Sequence, residues 1–230
     1  MEKLQILESL LDNKSAVVFD FDNIIVDSEP YHMKAYEKAF ASEGHKIDPE
    51  EYWLEWTFKG GGAEGEISRH NLKFDPDYIR SKKDPVYSGF CKNGSIRILP
   101  AALRIIEILK ENDFSLAIAS GSYQHDILSI IEAKGIGHNF EAVIGKDMVS
   151  ETKPHPATYL KASSELGARP YECLAIEDAQ KGITSAHEAG MKVIAVETKV
   201  TKGFNLEEGD LVVSELEELQ RLLENLFSSK

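Results

Sequence analysis

Four places in this sequence carry chemically capable side chains, three of them at the ends of apolar runs. Asp20-Phe21-Asp22 closes the run Ala16 to Phe19, and Ser120-Gly121-Ser122 closes Phe114 to Ala119. Glu177-Asp178 closes Cys173 to Ile176, and Lys153 stands before Pro154. In a parallel α/β sheet, ligands bind outside the carboxyl ends of the strands. These places would therefore share one edge, where four carboxylates, a hydroxyl and an ammonium meet. Carboxylates brought together raise one another's pKa unless a cation compensates them. A divalent ion with oxygen ligands does so, and an octahedral oxygen set suits Mg2+. A metal and a lysine beside a carboxylate serve phosphoryl transfer, whose transition state spreads negative charge over oxygens. Singly, each residue has a plainer reading: Asp20 and Asp22 as helix caps, Ser120 as a turn residue, Lys153 as a solvated loop lysine. Only their combination points to a site.

The elements that must position these residues are legible as a rhythm. The three runs, and a fourth at Lys192 to Val196, alternate with helix-period stretches at Ala101–Asn112, Tyr123–Lys134, Ala157–Leu166 and Gln180–Ala189. Pro100 and Pro156 sit where a first helical turn tolerates proline. Gly135, Gly167 and Gly190 sit where helices end. Alternating strand and helix predicts an α/β fold, a Rossmann-like parallel sheet sandwiched by helices. Residues 31–95 break the rhythm and read as helical, with both tryptophans and no strand-like run. Their 10 basic and 11 acidic residues leave a charge of −12 on the rest of the chain. Two domains follow: a core of residues 1–30 and 96–230, and an inserted small all-helical cap of residues 31–95. Tyr52, Trp53, Trp56 and Phe58 are expected to form the cap's core.

A net charge of −13 over 230 residues argues against nucleic acid, which needs a basic stripe, and against an anionic membrane surface. No apolar run approaches the ~20 residues of a membrane span. Met1 to Lys14 reads as an amphipathic helix, not a signal peptide. Two cysteines, Cys91 and Cys173, argue against a disulfide framework and make the cytoplasm the expected compartment. Gly60 to Gly65 satisfies a dinucleotide-binding pattern, but that fingerprint must follow a strand, and Asp48-Pro49-Glu50-Glu51 opens a helix just upstream. The seven histidines show no metal-ligand spacing along the chain.

Together the motifs resemble the haloacid dehalogenase superfamily of aspartate-nucleophile phosphotransferases, in the helical-cap, beta-phosphoglucomutase-like and phosphatase branch. The resemblance rests on Val17-Val18-Phe19-Asp20-Phe21-Asp22-Asn23, Ala119-Ser120-Gly121-Ser122, Lys153-Pro154-His155-Pro156 and Ile176-Glu177-Asp178-Ala179-Gln180-Lys181-Gly182. It implies that Asp20 attacks phosphorus, that Asp22 serves as general acid and then base, and that Lys153 neutralises charge. It implies Mg2+ held by Asp20, Asp22 and Asp178 with Glu177 close by. Ser120, Gly121 and Asn23 would meet the phosphoryl group, while His32, Lys59 and Ser122 would face the rest of the substrate.

The chain departs from that family at Asn23, where glycine is usual, and at Ile24, where threonine or valine is usual. Beta-phosphoglucomutases bind a second phosphate with an arginine and a lysine; Ala63 and Tyr123 stand at the corresponding positions here. That favours hydrolysis of a small phosphorylated metabolite; as a separate expectation, the chain acts as a monomer or weak homodimer. A sugar phosphomutase is the alternative, and a module that accepts a phosphoryl group on Asp20 without turnover is a third.

Overall fold

The computed structural model describes residues 2–58, 61–201, 206 and 208–228. In chain order the elements begin with α1 (Glu2–Leu11), β1 (Ala16–Phe19) and β2 (Val26–Asp27). Next come α2 (Glu29–Ala41), α3 (Pro49–Glu51), α4 (Gly62–Arg69) and α5 (Pro76–Lys92). β3 (Arg97–Ile98) leads to α6 (Pro100–Glu111), β4 (Ser115–Ala119), α7 (Gln124–Ala133) and β5 (Ala142–Ile144). The chain ends with α8 (Ala157–Glu165), β6 (Cys173–Glu177), α9 (Gln180–Glu188), β7 (Lys192–Val196), β8 (Leu211–Val213) and α10 (Leu216–Phe227).

Six strands form one parallel sheet in the order β5-β4-β1-β6-β7-β8. β1 is central, with Val18 paired to Ala117 on one side and Ala175 on the other. A strand covered on both faces must be apolar on both, which is why Ala16 to Phe19 is an unbroken buried run. Its side chains alternate between two cores. Val17 and Phe19 pack with Ile105, Ile127 and Leu219 from α6, α7 and α10. Ala16 and Val18 pack with Tyr159, Ala162 and Ile183 from α8 and α9. The expected sandwich is therefore present, and four of its strands and their helices fall within about a residue of the sequence reading.

β2 and β3 pair antiparallel, Val26 to Ile98, where the chain leaves and rejoins the sheet. Between them α2 to α5 build a third apolar cluster around Phe40, Ile47, Tyr52, Trp56, Ala63 and Ile79. Asp48 caps α3, its carboxylate accepting from the Glu50 and Glu51 backbone N–H groups at 2.9 and 3.0 Å. The chain then continues as a π-helical stretch, Tyr52–Phe58. One expectation here is corrected: Trp53 is not core but 40% exposed. It faces outward with only its edge against Tyr52, ring centroids 5.8 Å apart, whereas Tyr52 and Trp56 point inward. The side chain of Phe58, and all of Lys59 and Gly60, lie outside the described residues. Gly62 opens α4 after a helix and not a strand, so the glycine run lacks the setting of a dinucleotide site.

Candidate active site

Parallel register brings the ends of β1, β4 and β6 side by side, so Asp20, Ser120 and Glu177 emerge at one edge. All three are buried, as is Asp178. Lys153 arrives from the loop after β5 and donates to Asp20 Oδ1 at 2.7 Å and Glu177 Oε1 at 2.6 Å. Burial by itself would lower its pKa, but Asp20 and Glu177 outweigh that and hold the ammonium charged. Glu177 is fully engaged. Oε1 also accepts from the Tyr159 hydroxyl at 3.0 Å, and Oε2 accepts from the backbone N–H groups of Asp178 and Ala179 at 2.9 and 3.1 Å.

Asp22 lives in a different environment. Its Oδ1 accepts from Ser28 Oγ at 2.6 Å, and its Oδ2 from Ser122 Oγ at 2.7 Å and Ser120 Oγ at 3.4 Å. His32 Nε2 stands 3.6 Å from Oδ1, its ring stacked on Tyr87 at a centroid distance of 3.9 Å. Burial pushes the Asp22 carboxyl up, but His32 and the Ser28 and Ser122 hydroxyls outweigh it and hold it well below the usual carboxylate range. Asp20 moves the other way. Burial, opposed by Lys153 and reinforced by Glu177 and Asp22, pushes it up to about 7. Asp178 is also raised, by burial and then by repulsion from Asp20 and Glu177. Its Oδ2 accepts from Thr198 Oγ1 at 3.2 Å.

Asp20, Glu177 and Asp178 each offer an oxygen within 4.8 Å of the others. Three buried carboxylates against one ammonium leave an excess of two negative charges, which a divalent cation with oxygen ligands would match. The donor set thus fits Mg2+. The cluster lies in a cavity of about 560 Å³ that also takes in Asp22, Asn23, Gly121, Lys146 and Lys181. Asn23 adopts φ +62°, a left-handed conformation that asparagine tolerates better than most residues, and its N–H donates to the Val26 carbonyl at 2.7 Å. The loop therefore closes without the usual glycine.

The edge gathers the sequence-singled Asp20, Asp22, Asn23, Ser120, Gly121, Ser122, Lys153, Glu177 and Asp178, with His32 beside Asp22. Lys59 lies outside the described residues. Sequence reading missed Tyr159, Thr198, Ser28 and Tyr87. Ser28 lies six residues beyond Asp22, and that nearness was the available signal; the others carried none.

A parallel sheet with an acid-lined, lysine-bearing cleft at its carboxyl edge, and helices inserted beside it, defines a cap-bearing α/β enzyme. Residues 17–196 match the family model described as haloacid dehalogenase-like hydrolase, and the chain belongs to that family. It is 29% identical over 215 residues to protein CbbY of Rhodobacter capsulatus, covering 87% of this chain and 93% of that protein. It is 26% identical over 190 residues to the fructose-1-phosphate phosphatase YqaB of Escherichia coli (strain K12), covering 81% and 98%. The crystal structure of CbbY from Rhodobacter sphaeroides in complex with phosphate superposes with a TM-score of 0.75 at 26% identity, covering 90% and 96%. Among the described residues, no helix is long and apolar enough to cross a membrane.

Proposed function

We propose that this hydrolase is a Mg2+-dependent phosphatase acting on a small phosphorylated metabolite of the sugar-phosphate kind, through an aspartyl phosphate on Asp20. The observation that carries the reading is the contrast between two carboxyls two residues apart, one clamped by Lys153 and the other cradled by hydroxyls. Lys153, and the cation that the acidic cluster would take, keep Asp20 charged and aimed for attack, whereas the hydroxyls around Asp22 hold it beside the phosphoryl position, where a proton must be delivered and taken back. Asp20 attacks phosphorus as the ester bond breaks, and Asp22 delivers a proton to the leaving oxygen. The phosphoryl dianion itself raises Asp22 on arrival, since a nearby negative charge favours the protonated form. Asp22 then takes a proton from water as the water displaces Asp20 and releases phosphate.

Lys153 holds the nucleophile in place and offsets its charge, and Glu177 holds Lys153. Asp20 and Asp178, with the Asp22 carbonyl, would hold Mg2+, which neutralises phosphoryl charge when bound; Glu177, already engaged at both oxygens, supports from behind. Ser120, Gly121 and the exposed backbone around them receive phosphoryl oxygens, and the helical insertion of residues 31–95 serves as a cap over the cleft. The similarity to a fructose-1-phosphate phosphatase supports the substrate class. Cys91 and Cys173, both buried and unpaired, fit a reducing cytoplasm, where a monomer or weak homodimer would act.

A second reading rests on one observation. Tyr123 removes a cation from the strand-end loop, but Lys146 Nζ lies 3.8 Å from the Tyr123 ring centroid and lines the same cavity. A sugar phosphomutase, which needs a cation for a second phosphate, therefore remains a competitor. Phosphate release from a panel of phosphorylated metabolites, with Mg2+ or a chelator, separates the two. The phosphatase reading predicts release that requires Mg2+ and vanishes in Asp20→Asn. Isomerised hexose 1-phosphate with little free phosphate would overturn it.

A further inference from the structure

His45, Glu66 and His70 are dispersed in sequence, but folding converges them in the cap, away from the sheet edge. Glu66 and His70 lie four residues apart at the end of α4, a spacing that places both on one helix face. His45 comes from the loop after α2. Both imidazoles direct Nε2 toward one oxygen, Glu66 Oε1, at 2.7 Å for His45 and 3.6 Å for His70. His70 Nε2 is also 3.1 and 3.2 Å from the two Glu51 oxygens. We propose that this cluster is a binding site for a zinc-class divalent ion, with His45 Nε2, Glu66 Oε1 and His70 Nε2 as ligands and the Glu51 carboxylate as the fourth.

Three features carry the inference. Bonds of about 2.0–2.2 Å to a tetrahedral ion separate its ligand atoms by roughly 3.3–3.5 Å. The two separations at Glu66 Oε1, 2.7 and 3.6 Å, bracket that value, and the three ligand atoms of His45, Glu66 and His70 lie within 4.8 Å of one another; Glu51, beside His70, would swing inward to become the fourth. Next, the outer partners are already in place. Glu66 Oε2 is held by Arg69 Nη2 at 2.6 Å and Trp56 Nε1 at 2.9 Å, and Glu51 Oε1 by Arg69 Nε at 2.7 Å. One arginine thus fixes both carboxylates with their remaining oxygens available to the histidines, as hydrogen-bonded outer groups do around metal ligands. Finally, the donor chemistry is distinct from that of the acidic cleft. Glu66 is 1% exposed, and two imidazoles with carboxylates select zinc or a neighbouring first-row ion, whereas Mg2+ prefers oxygen alone. A carboxylate only accepts, so each Nε2 carries the proton of its hydrogen bond here; the ion would take that proton's place, the proton leaving to solvent and each ring keeping its proton on Nδ1 while Nε2 donates its lone pair. The ion would tie the loop after α2, the end of α3 and the end of α4 into one unit.

The test titrates chelator-treated protein with Zn2+ by calorimetry, in excess Mg2+ so that the oxygen-only cleft keeps its own ion. One equivalent of Zn2+ is expected, with Co2+ giving the visible absorption of a four-coordinate site. His70→Asn, at a half-exposed position, should weaken Zn2+ binding by at least tenfold with an unchanged circular dichroism spectrum, and His45→Asn should do the same. Asp20→Asn should leave Zn2+ affinity unaltered. No bound equivalent, or an equivalent lost in Asp20→Asn and kept in His70→Asn, would overturn the proposal.

Discussion

Asp20 and Asp22 have the same functional group and lie two residues apart, yet their surroundings drive their carboxyls in opposite directions. Spacing alone placed both at the strand end; it could not tell the clamped carboxyl from the cradled one. That difference comes from burial beside Glu177, which lifts Asp20 against the pull of Lys153, and from His32, Ser28 and Ser122 around Asp22, surroundings that are assembled only in the fold. Thr198 illustrates what stayed hidden. It lies just past β7 in a stretch without apolar period or motif, yet its hydroxyl is the side-chain donor to Asp178. Outer partners of metal ligands typically contribute 10- to 100-fold in affinity. Thr198→Val, similar in shape but lacking the hydroxyl, should therefore raise the Mg2+ concentration for half-maximal phosphate release by about 10-fold or more, with kcat at saturating Mg2+ changing less. An unchanged Mg2+ requirement would remove Thr198 from the site.

At the scale of elements, the junction between β6 and α9 shows how closely backbone and site fit. A Cβ added at Gly182 would fall 1.6 Å from Glu177 Oε1, so α9 can pack this near the strand only with glycine there. Gly182→Ala must push Glu177 aside, and Lys153 with it. Misplacement of a catalytic group by about 1 Å can cost on the order of 100-fold. The variant should lose at least about tenfold in turnover, measured as phosphate release, while remaining folded by circular dichroism. Wild-type turnover would show that Glu177 does not position Lys153. The long elements were legible because each buries both faces of a strand or one face of a helix. β5 and β8, three residues each, and the two-residue ribbon β2–β3 were not singled out, because so short a run has no period of its own and is defined by its neighbour. The π-helical stretch in the cap was equally silent, and so was the outward turn of Trp53 within it.

The whole molecule carries the consequence of gathering acids at one edge. Folding raises the Asp20 carboxyl to about 7, while the unfolded chain releases that proton near its ordinary value of 3.8. Between those values the folded state binds more protons, so without a metal this group's contribution to stability falls as pH rises through that window. Metal-free wild type should therefore lose melting temperature relative to Asp20→Asn between about pH 5 and pH 8, by roughly 2–4 °C or more, and Mg2+ should restore it most at the upper end. Parallel curves for the two proteins would contradict the buried-acid account.

The central claim is that Asp20 itself becomes phosphorylated. It is tested most directly by rapid acid quench of Asp22→Asn with Mg2+ and an aryl phosphate, whose leaving group departs without a proton from Asp22, followed by mass spectrometry of the peptide that spans Asp20. Without the Asp22 carboxylate to activate water, the intermediate should accumulate, so one phosphoryl group on Asp20 is the predicted result, absent in Asp20→Asn. Phosphate release at the wild-type rate with no phosphoryl group on that peptide, or a phosphoryl group on another residue, would contradict the account.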